Sequence, residues 1–168
     1  MQSAGCDILH QGLFVPVGDV FGPVVVSYIL VGLDAEHYKP DLNTDAVAMY
    51  LKSHQSPDGQ WAVPIADTRP PLCSDYIGQT ALSMRALQLY ASKTDKAAYD
   101  QSIQLAATWM TKVRSRNNDD RGWRLLGLAW AGKDKEATQK AMQELLAAQR
   151  SDGGWSVSSP WRAPSTPP

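Results

Sequence analysis

Apolar residues recur at intervals of three and four positions between residues 24 and 146, which is the spacing of amphipathic helices. Ser74, Thr94 and Asp134 are predicted N-caps, and Gly132 is predicted to end a helix. The pattern predicts six helical segments: A at 24–36, B at 44–54, C from Ser74 to about 91, D from Thr94 to about 113, E at 120–131, and F from Asp134 to about 146. The sequence therefore predicts an all-α protein.

The polar faces of these segments alternate along the chain. Segments B, D and F each carry one apolar stripe, whereas A, C and E are apolar on more than one side. A helix with one polar face belongs in an outer layer, and a helix that is apolar around most of its circumference is covered on both sides. The alternation predicts three helical hairpins in two layers, which is the pattern of a repeat array.

The ends of the chain lack this periodicity. We expect residues 1–22 to form a non-repeat extension, residues 23–155 to form the repeat domain, and the Pro- and Ser-rich residues 156–168 to form a disordered tail.

Composition excludes several classes of protein. The formal net charge is -1, which argues against a nucleic-acid-binding protein that neutralises phosphates. The apolar run from Val24 to Leu33 has ten residues, well short of the roughly 20 that span a membrane, and the amino end has no secretory signal pattern. With only Cys6 and Cys73, we expect a soluble protein of the reducing cytoplasm, without a disulfide scaffold.

A seven-residue pattern, Gln-x-x-Asp-Gly-x-Trp, occurs twice. The first Gln–Trp motif runs from Gln55 to Trp61 and the second from Gln149 to Trp155, so the two glutamines are 94 positions apart. Asp-Gly favours a tight reversal with a positive φ. Since each motif follows an amphipathic helix, we expect its glutamine and tryptophan to join that helix to the next unit. The predicted structural residues are Gln55, Gly59, Trp61, Gln149, Gly153 and Trp155.

These motifs resemble the repeated Gln–Trp elements of squalene-hopene and oxidosqualene cyclases and of related prenyltransferase-type α/α toroids. The stretch from Ser74 to Leu87, with its Gln79-Thr80-Ala81 core, is similar to an inner helix of those enzymes. The resemblance covers about residues 42–155. It implies a ring of alternating inner and outer helices around a cavity, which in the cyclases holds a polyprenyl chain.

The motifs that carry the chemistry of those families are missing. Bacterial triterpene cyclases use an Asp-x-Asp-Asp acid motif, whereas this chain has Asn117-Asn118-Asp119-Asp120, which we expect to cap segment E. Protein prenyltransferases hold zinc with Asp, Cys and a later His, and no histidine follows Cys73. We therefore expect neither a metal nor a cofactor.

The number of helices differs as well. A closed toroid of this class has about twelve helices, and this chain supplies six, so it is predicted to form half of an α/α toroid with two open flanks. We expect a homodimer to close the ring.

The predicted toroid places the amino ends of the inner helices at one rim. That rim would gather Asp75, Tyr76 and Gln79 from segment C with Asp119, Asp120 and Trp123 from segment E. Helix amino ends suit an anionic head group, and the three carboxylates are candidates for acid–base catalysis of glycoside cleavage. The alternative is that these acids only complement the helix dipoles.

Five residues are candidate ligand contacts: Tyr76, Gln79, Arg85, Trp123 and Trp130. Arg85 either binds a carboxylate or phosphate in the cavity or emerges between helices. The two tryptophans either line an apolar cavity or fill the core.

The leading functional hypothesis is a toroid module without catalysis that binds an apolar, isoprenoid-like ligand or a partner segment. The alternatives are a hydrolase that acts on a glycan or an ester through the rim carboxylates, and an incomplete terpene cyclase.

Overall fold

The computed structural model describes residues 22–62 and 76–156, and this part of the chain is helical without strands. Its six α-helices are α1 (Gly22–Ala35), α2 (Leu42–Ser53), α3 (Tyr76–Tyr90), α4 (Lys96–Lys112), α5 (Asn118–Ala131) and α6 (Lys135–Ala147). A single 3₁₀ turn at Lys93–Asp95 precedes α4. The all-α prediction is confirmed.

The helices pack in two layers. Helix α3 lies between α1 and α5, and these three form the inner layer. In the outer layer, α2 packs against α1 and α3, α4 packs against α3 and α5, and α6 packs against α5. Burial is greatest in α3, most of which is buried on all sides, and least in α6, which buries only Ala141. The predicted alternation of inner and outer helices is confirmed.

Polar contacts let two inner helices approach closely. The hydroxyls of Ser27 on α1 and Ser83 on α3 lie 3.0 Å apart, and Gln79 Nε2 donates to the Ser83 hydroxyl at 2.7 Å. Ser27 Oγ also donates to the Pro23 carbonyl at 2.6 Å. Because these buried groups satisfy one another, small polar side chains replace bulky apolar ones without a desolvation penalty.

Two predicted helix boundaries are confirmed and one is wrong. Gly132 ends α5 with a φ of +65°, and the Asp134 side chain accepts the Ala137 N–H at 2.8 Å. Thr94 does not cap α4, since it lies inside the 3₁₀ turn, where its hydroxyl pairs with Ser92 at 2.9 Å. Helix α4 therefore begins two residues later, at Lys96.

Several predictions fall outside the described residues. These are the Ser74 cap, the rim carboxylate Asp75, Cys73, and the structural assignments for residues 1–21 and 157–168. None of the helices in the described part combines the length and the apolar character that crossing a membrane requires.

Candidate functional site

The first Gln–Trp motif folds back on the end of helix α2. Gln55 Nε2 donates to the Gly59 carbonyl at 2.9 Å, and the Ser56 N–H donates to the Gln60 carbonyl at 2.8 Å. The Trp61 indole N–H reaches back ten residues to the Leu51 carbonyl at 2.7 Å. Through this bond the motif holds the Leu51 carbonyl near the carboxyl end of the helix, which also accepts the His54 N–H at 3.2 Å.

This motif also joins α2 to the next hairpin. Gln55 Nε2 donates to the Ser102 carbonyl of α4 at 3.0 Å, and the Ser102 hydroxyl donates to Gln55 Oε1. The Trp61 N–H donates to Thr80 Oγ1 of α3 at 3.1 Å, and Trp61 is 0 % exposed. The first motif therefore connects the end of α2 to both helices of the following hairpin.

The second Gln–Trp motif repeats the internal geometry at the end of α6. Gln149 Nε2 donates to the Gly153 carbonyl at 2.7 Å, and the Arg150 N–H donates to the Gly154 carbonyl at 2.9 Å. The Trp155 indole N–H reaches back ten residues to the Leu145 carbonyl at 2.8 Å. Both motif glycines have positive φ, +102° at Gly59 and +83° at Gly153. The same seven-residue pattern therefore builds the same local structure twice.

The two motifs differ in what covers them. A Cβ at Gly59 would lie 2.5 Å from the Leu105 carbonyl oxygen of α4, whereas one at Gly153 would have no atom of the described residues within 4 Å. Within the same part of the chain, Gln149 has no contact equivalent to that of Gln55 with Ser102, and Trp155 is 39 % exposed. The second motif therefore has its internal hydrogen bonds, but no hairpin of the described residues packs against it.

Exposed apolar side chains lie on the helices at both ends of the array. At the amino-terminal end they are Val25 and Ile29 on α1, with Leu42 (87 % exposed) and Met49 (64 % exposed) on α2. At the other end, Met142 and Leu146 on α6 accompany Trp155. We refer to these two sets as the N-flank and the C-flank.

The Arg150–Asp152 pair braces the second motif. The Arg150 guanidinium donates to both carboxylate oxygens, and the Gly154 N–H donates to Asp152 Oδ1 at 3.0 Å. These donors stabilise the charged form, the guanidinium most of all, so they lower the pKa of Asp152.

The predicted rim residues that the structure describes lie near the amino ends of the neighbouring inner helices α3 and α5. The Trp123 ring of α5 packs against Gly78 of α3, which sets the first turns of the two helices side by side. Tyr76 and Asp119 are half-buried. Gln79 is buried and turned towards α1, where it bonds Ser83 and Ser27. Their proposed ligand contacts remain predictions.

Asp120 is held inside the protein. It is 0 % exposed, and its Oδ2 accepts the Arg116 N–H at 2.7 Å and Arg116 Nε at 3.1 Å. The Asn117 side chain accepts the Asp120 N–H at 2.8 Å, as expected of the N-cap of α5. Asp120 therefore fixes the α4–α5 loop, while its Oδ1 is buried without a partner in the described part.

Arg85 and Trp130, two residues predicted to contact a ligand, lie against one another. The Arg85 guanidinium lies 5.8 Å from the centre of the Trp130 ring, a cation–π distance, and donates to Gln88 Oε1 at 3.4 Å. Gln88 Nε2 in turn donates to the Trp130 carbonyl at 3.0 Å. Half-buried Arg85 thus links α3 to the carboxyl end of α5.

The sequence analysis missed the most enclosed cation of the described residues, Arg124. Its Nε donates to the Met110 carbonyl at 3.0 Å and its Nη2 to the Thr111 carbonyl at 3.3 Å, which caps the carboxyl end of α4. Its Nη1 pairs with Glu144 of α6 at 2.8 Å. The position of Arg124 on the buried face of α5, with Gly127 and Leu128, is the signal that could have identified it.

Among the described residues no group of three or more His, Cys, Asp or Glu side chains is arranged to hold a metal ion. Comparisons of the chain with protein-family models, with curated proteins and with solved structures find no match.

Proposed function

We propose that this chain is a toroid-type repeat module, similar to those of the terpene cyclases but without their acid motif, whose open ends bind hairpins of the same type. One observation carries the proposal: the second Gln–Trp motif is built like the first, but no hairpin of the described residues is docked on it. The first motif supplies the template for the missing partner, an outer helix that presents a hydroxyl and a backbone carbonyl as Ser102 does.

The partner that fits is a second copy of this chain. The α3–α4 hairpin covers the motif that follows the α1–α2 hairpin. By the same arrangement, the C-flank would pack against the side of a hairpin that no earlier hairpin covers. The N-flank is such a side, and its Leu42 and Met49 are exposed. Two copies that each place a C-flank on the other's N-flank form a closed two-fold pair, which is the predicted homodimer of half rings.

Sedimentation equilibrium tests this arrangement. Leu146→Glu on the C-flank and Leu42→Glu on the N-flank should each give a monomer, because each substitution places a charge in both joints of the pair. An equimolar mixture of the two variants should dimerise, since one joint of the mixed pair then contains two unchanged flanks. Ala97→Glu, at an exposed position on α4, is the control and should leave the dimer intact.

A monomeric unchanged chain at high micromolar concentration would contradict the pairing. So would a Leu42→Glu variant that remains dimeric, because it would indicate contact between two C-flanks.

A second function, binding of an apolar ligand, is supported by the inner layer. Tyr28 on α1 and Leu126 on α5 are exposed there, and Trp123 and Trp130 are half-buried. Tryptophan fluorescence should change saturably with a polyprenyl alcohol, and Leu126→Asp should weaken that response without lowering the melting temperature. Leu105→Asp, at an equally exposed leucine of the outer helix α4, is the matched control. An equal response from the two variants would contradict binding at the inner layer.

The rim carboxylates give the hydrolase alternative little support. Asp120 is enclosed and ion-paired, so of the two predicted rim carboxylates in the described part only Asp119 has any exposed surface. If ester or glycan turnover were found and Asp119→Asn abolished it with unchanged melting, the module would have to be regarded as an enzyme.

A further inference from the structure

A groove on the outer surface gathers positive charge. It lies between the carboxyl end of α4, the α4–α5 loop, the start of α5 and the second half of α6, and its volume is about 560 Å³. Five cations and one carboxylate line it: Lys112, Arg114, Arg121, Arg124, Lys140 and Glu144. The whole chain has a net charge of -1, so this concentration of cations is local.

Helix capping accounts for only part of this charge. Arg124 already satisfies the Met110 and Thr111 carbonyls of α4, and Glu144 neutralises it. Arg121 bonds the neutral Asn118 side chain, at 2.7 Å. The other three cations, Lys112, Arg114 and Lys140, have no hydrogen-bond or ion-pair partner among the described residues. In this part of the chain, four cations of the groove are therefore left without a counter-charge.

The wall of the groove is fixed before any ligand arrives. Asp120 anchors the loop through two bonds to Arg116, and the Asn117 cap holds the following turn. Ser115 lies on that wall, and its buried Oγ has no partner in the described residues. The Asp120 and Asn117 contacts hold the backbone of the wall in place without a ligand.

We propose that this groove binds the diphosphate group of a small molecule. Arginine and lysine together bind phosphate oxygens, Arg through its planar fork and Lys as a point charge. A diphosphate brings several negative charges to oppose the four cations, and the volume leaves space for an attached organic part. The residues that line the groove are not those of the C-flank or of the proposed apolar site on the inner layer, so the three sites can be tested separately.

Isothermal titration of the full chain with inorganic pyrophosphate, at low and constant ionic strength, tests the proposal. We expect saturable binding at one site that weakens as salt is added. Arg114→Ala and Lys140→Ala should each weaken binding by about fivefold, because each removes a charged contact. Both side chains are exposed, so neither variant should alter the melting temperature.

Lys93→Ala, which removes an exposed positive charge before α4, is the matched control and should bind like the unchanged chain. Tighter binding of ADP or of a short alkyl diphosphate would support the site and identify its organic part. Absence of saturable binding, or an equal loss in Lys93→Ala, would overturn the proposal. Binding of an oligonucleotide without binding of pyrophosphate would overturn it in favour of a nucleic-acid surface.

Discussion

The first and second Gln–Trp motifs have the same internal hydrogen bonds but very different surroundings. The first is enclosed by α3 and α4, whereas the second lies at the end of the array with Trp155 partly in solvent. The comparison separates what the seven residues do by themselves from what the neighbouring hairpin adds. By themselves they close the helix end, and with a neighbour they transmit packing from one repeat to the next.

Removing the two indoles should separate these contributions most clearly. Trp61→Ala should lower the free energy of unfolding by about 4 kcal/mol, because it leaves a cavity in the core and removes the indole hydrogen bond to the Leu51 carbonyl. Trp155→Ala should cost about 1 kcal/mol in the monomer, since its ring is partly solvated. Urea unfolding measures both, and equal losses would mean that the surroundings of the motifs do not matter.

Substituting the two motif glycines separates the cost of backbone strain from the cost of a close contact with the neighbouring helix. Gly153→Ala should cost about 1 kcal/mol, because a positive φ is unfavourable for alanine even in open space. Gly59→Ala should cost about 3 kcal/mol, because the new methyl also meets the Leu105 carbonyl. The same unfolding measurement applies. A smaller loss at Gly59 than at Gly153 would contradict the close contact with α4.

The two glutamines measure the joint between repeats. Gln55→Ala should cost about 2 kcal/mol, because it removes bonds within the motif and to Ser102, while Gln149→Ala should cost about 0.5 kcal/mol. A double-mutant cycle of Gln55→Ala with Ser102→Ala should give a coupling of about 1 kcal/mol. Additive losses at these two residues would show that the bond from the Ser102 hydroxyl to Gln55 contributes no energy.

The smallest effect is expected from pH at the second motif. Asp152 has a lowered pKa in the folded chain, so its charged form stabilises the fold above the usual value of 3.8 and loses that contribution as pH falls through the lowered pKa. Asp152→Asn should therefore lower the melting temperature slightly at pH 6, and the difference should vanish at a pH below the lowered pKa. Thermal melts of both proteins across this range provide the check, and a constant difference would contradict the assignment.

The sequence predicted the layers better than it predicted the site. The inner position of α3 follows from residues such as Ala81, Met84 and Leu87, which occupy several sides of one helix. The Gln55 and Trp61 contacts also follow from the motif. By contrast, neither the enclosure of Asp120 nor the capping role of Arg124 can be read from helical periodicity, since both depend on how the α4–α5 loop turns.

The prediction that Thr94 caps α4 was wrong for a similar reason. A hydroxyl at a helix start is a cap only if no nearby group competes for it, and here Ser92 does. The open state of the second motif, too, depends on whether another hairpin packs against it in space, which the local sequence does not encode.

Hydrogen exchange as a function of protein concentration tests the central claim most directly. If the second motif is a docking surface for another copy, protection of residues 141–156 should rise with concentration through the micromolar range, while protection around Trp61 stays constant. Leu42→Glu, which alters only the opposite flank, should abolish that rise. Protection of residues 141–156 that does not change with concentration would contradict the account.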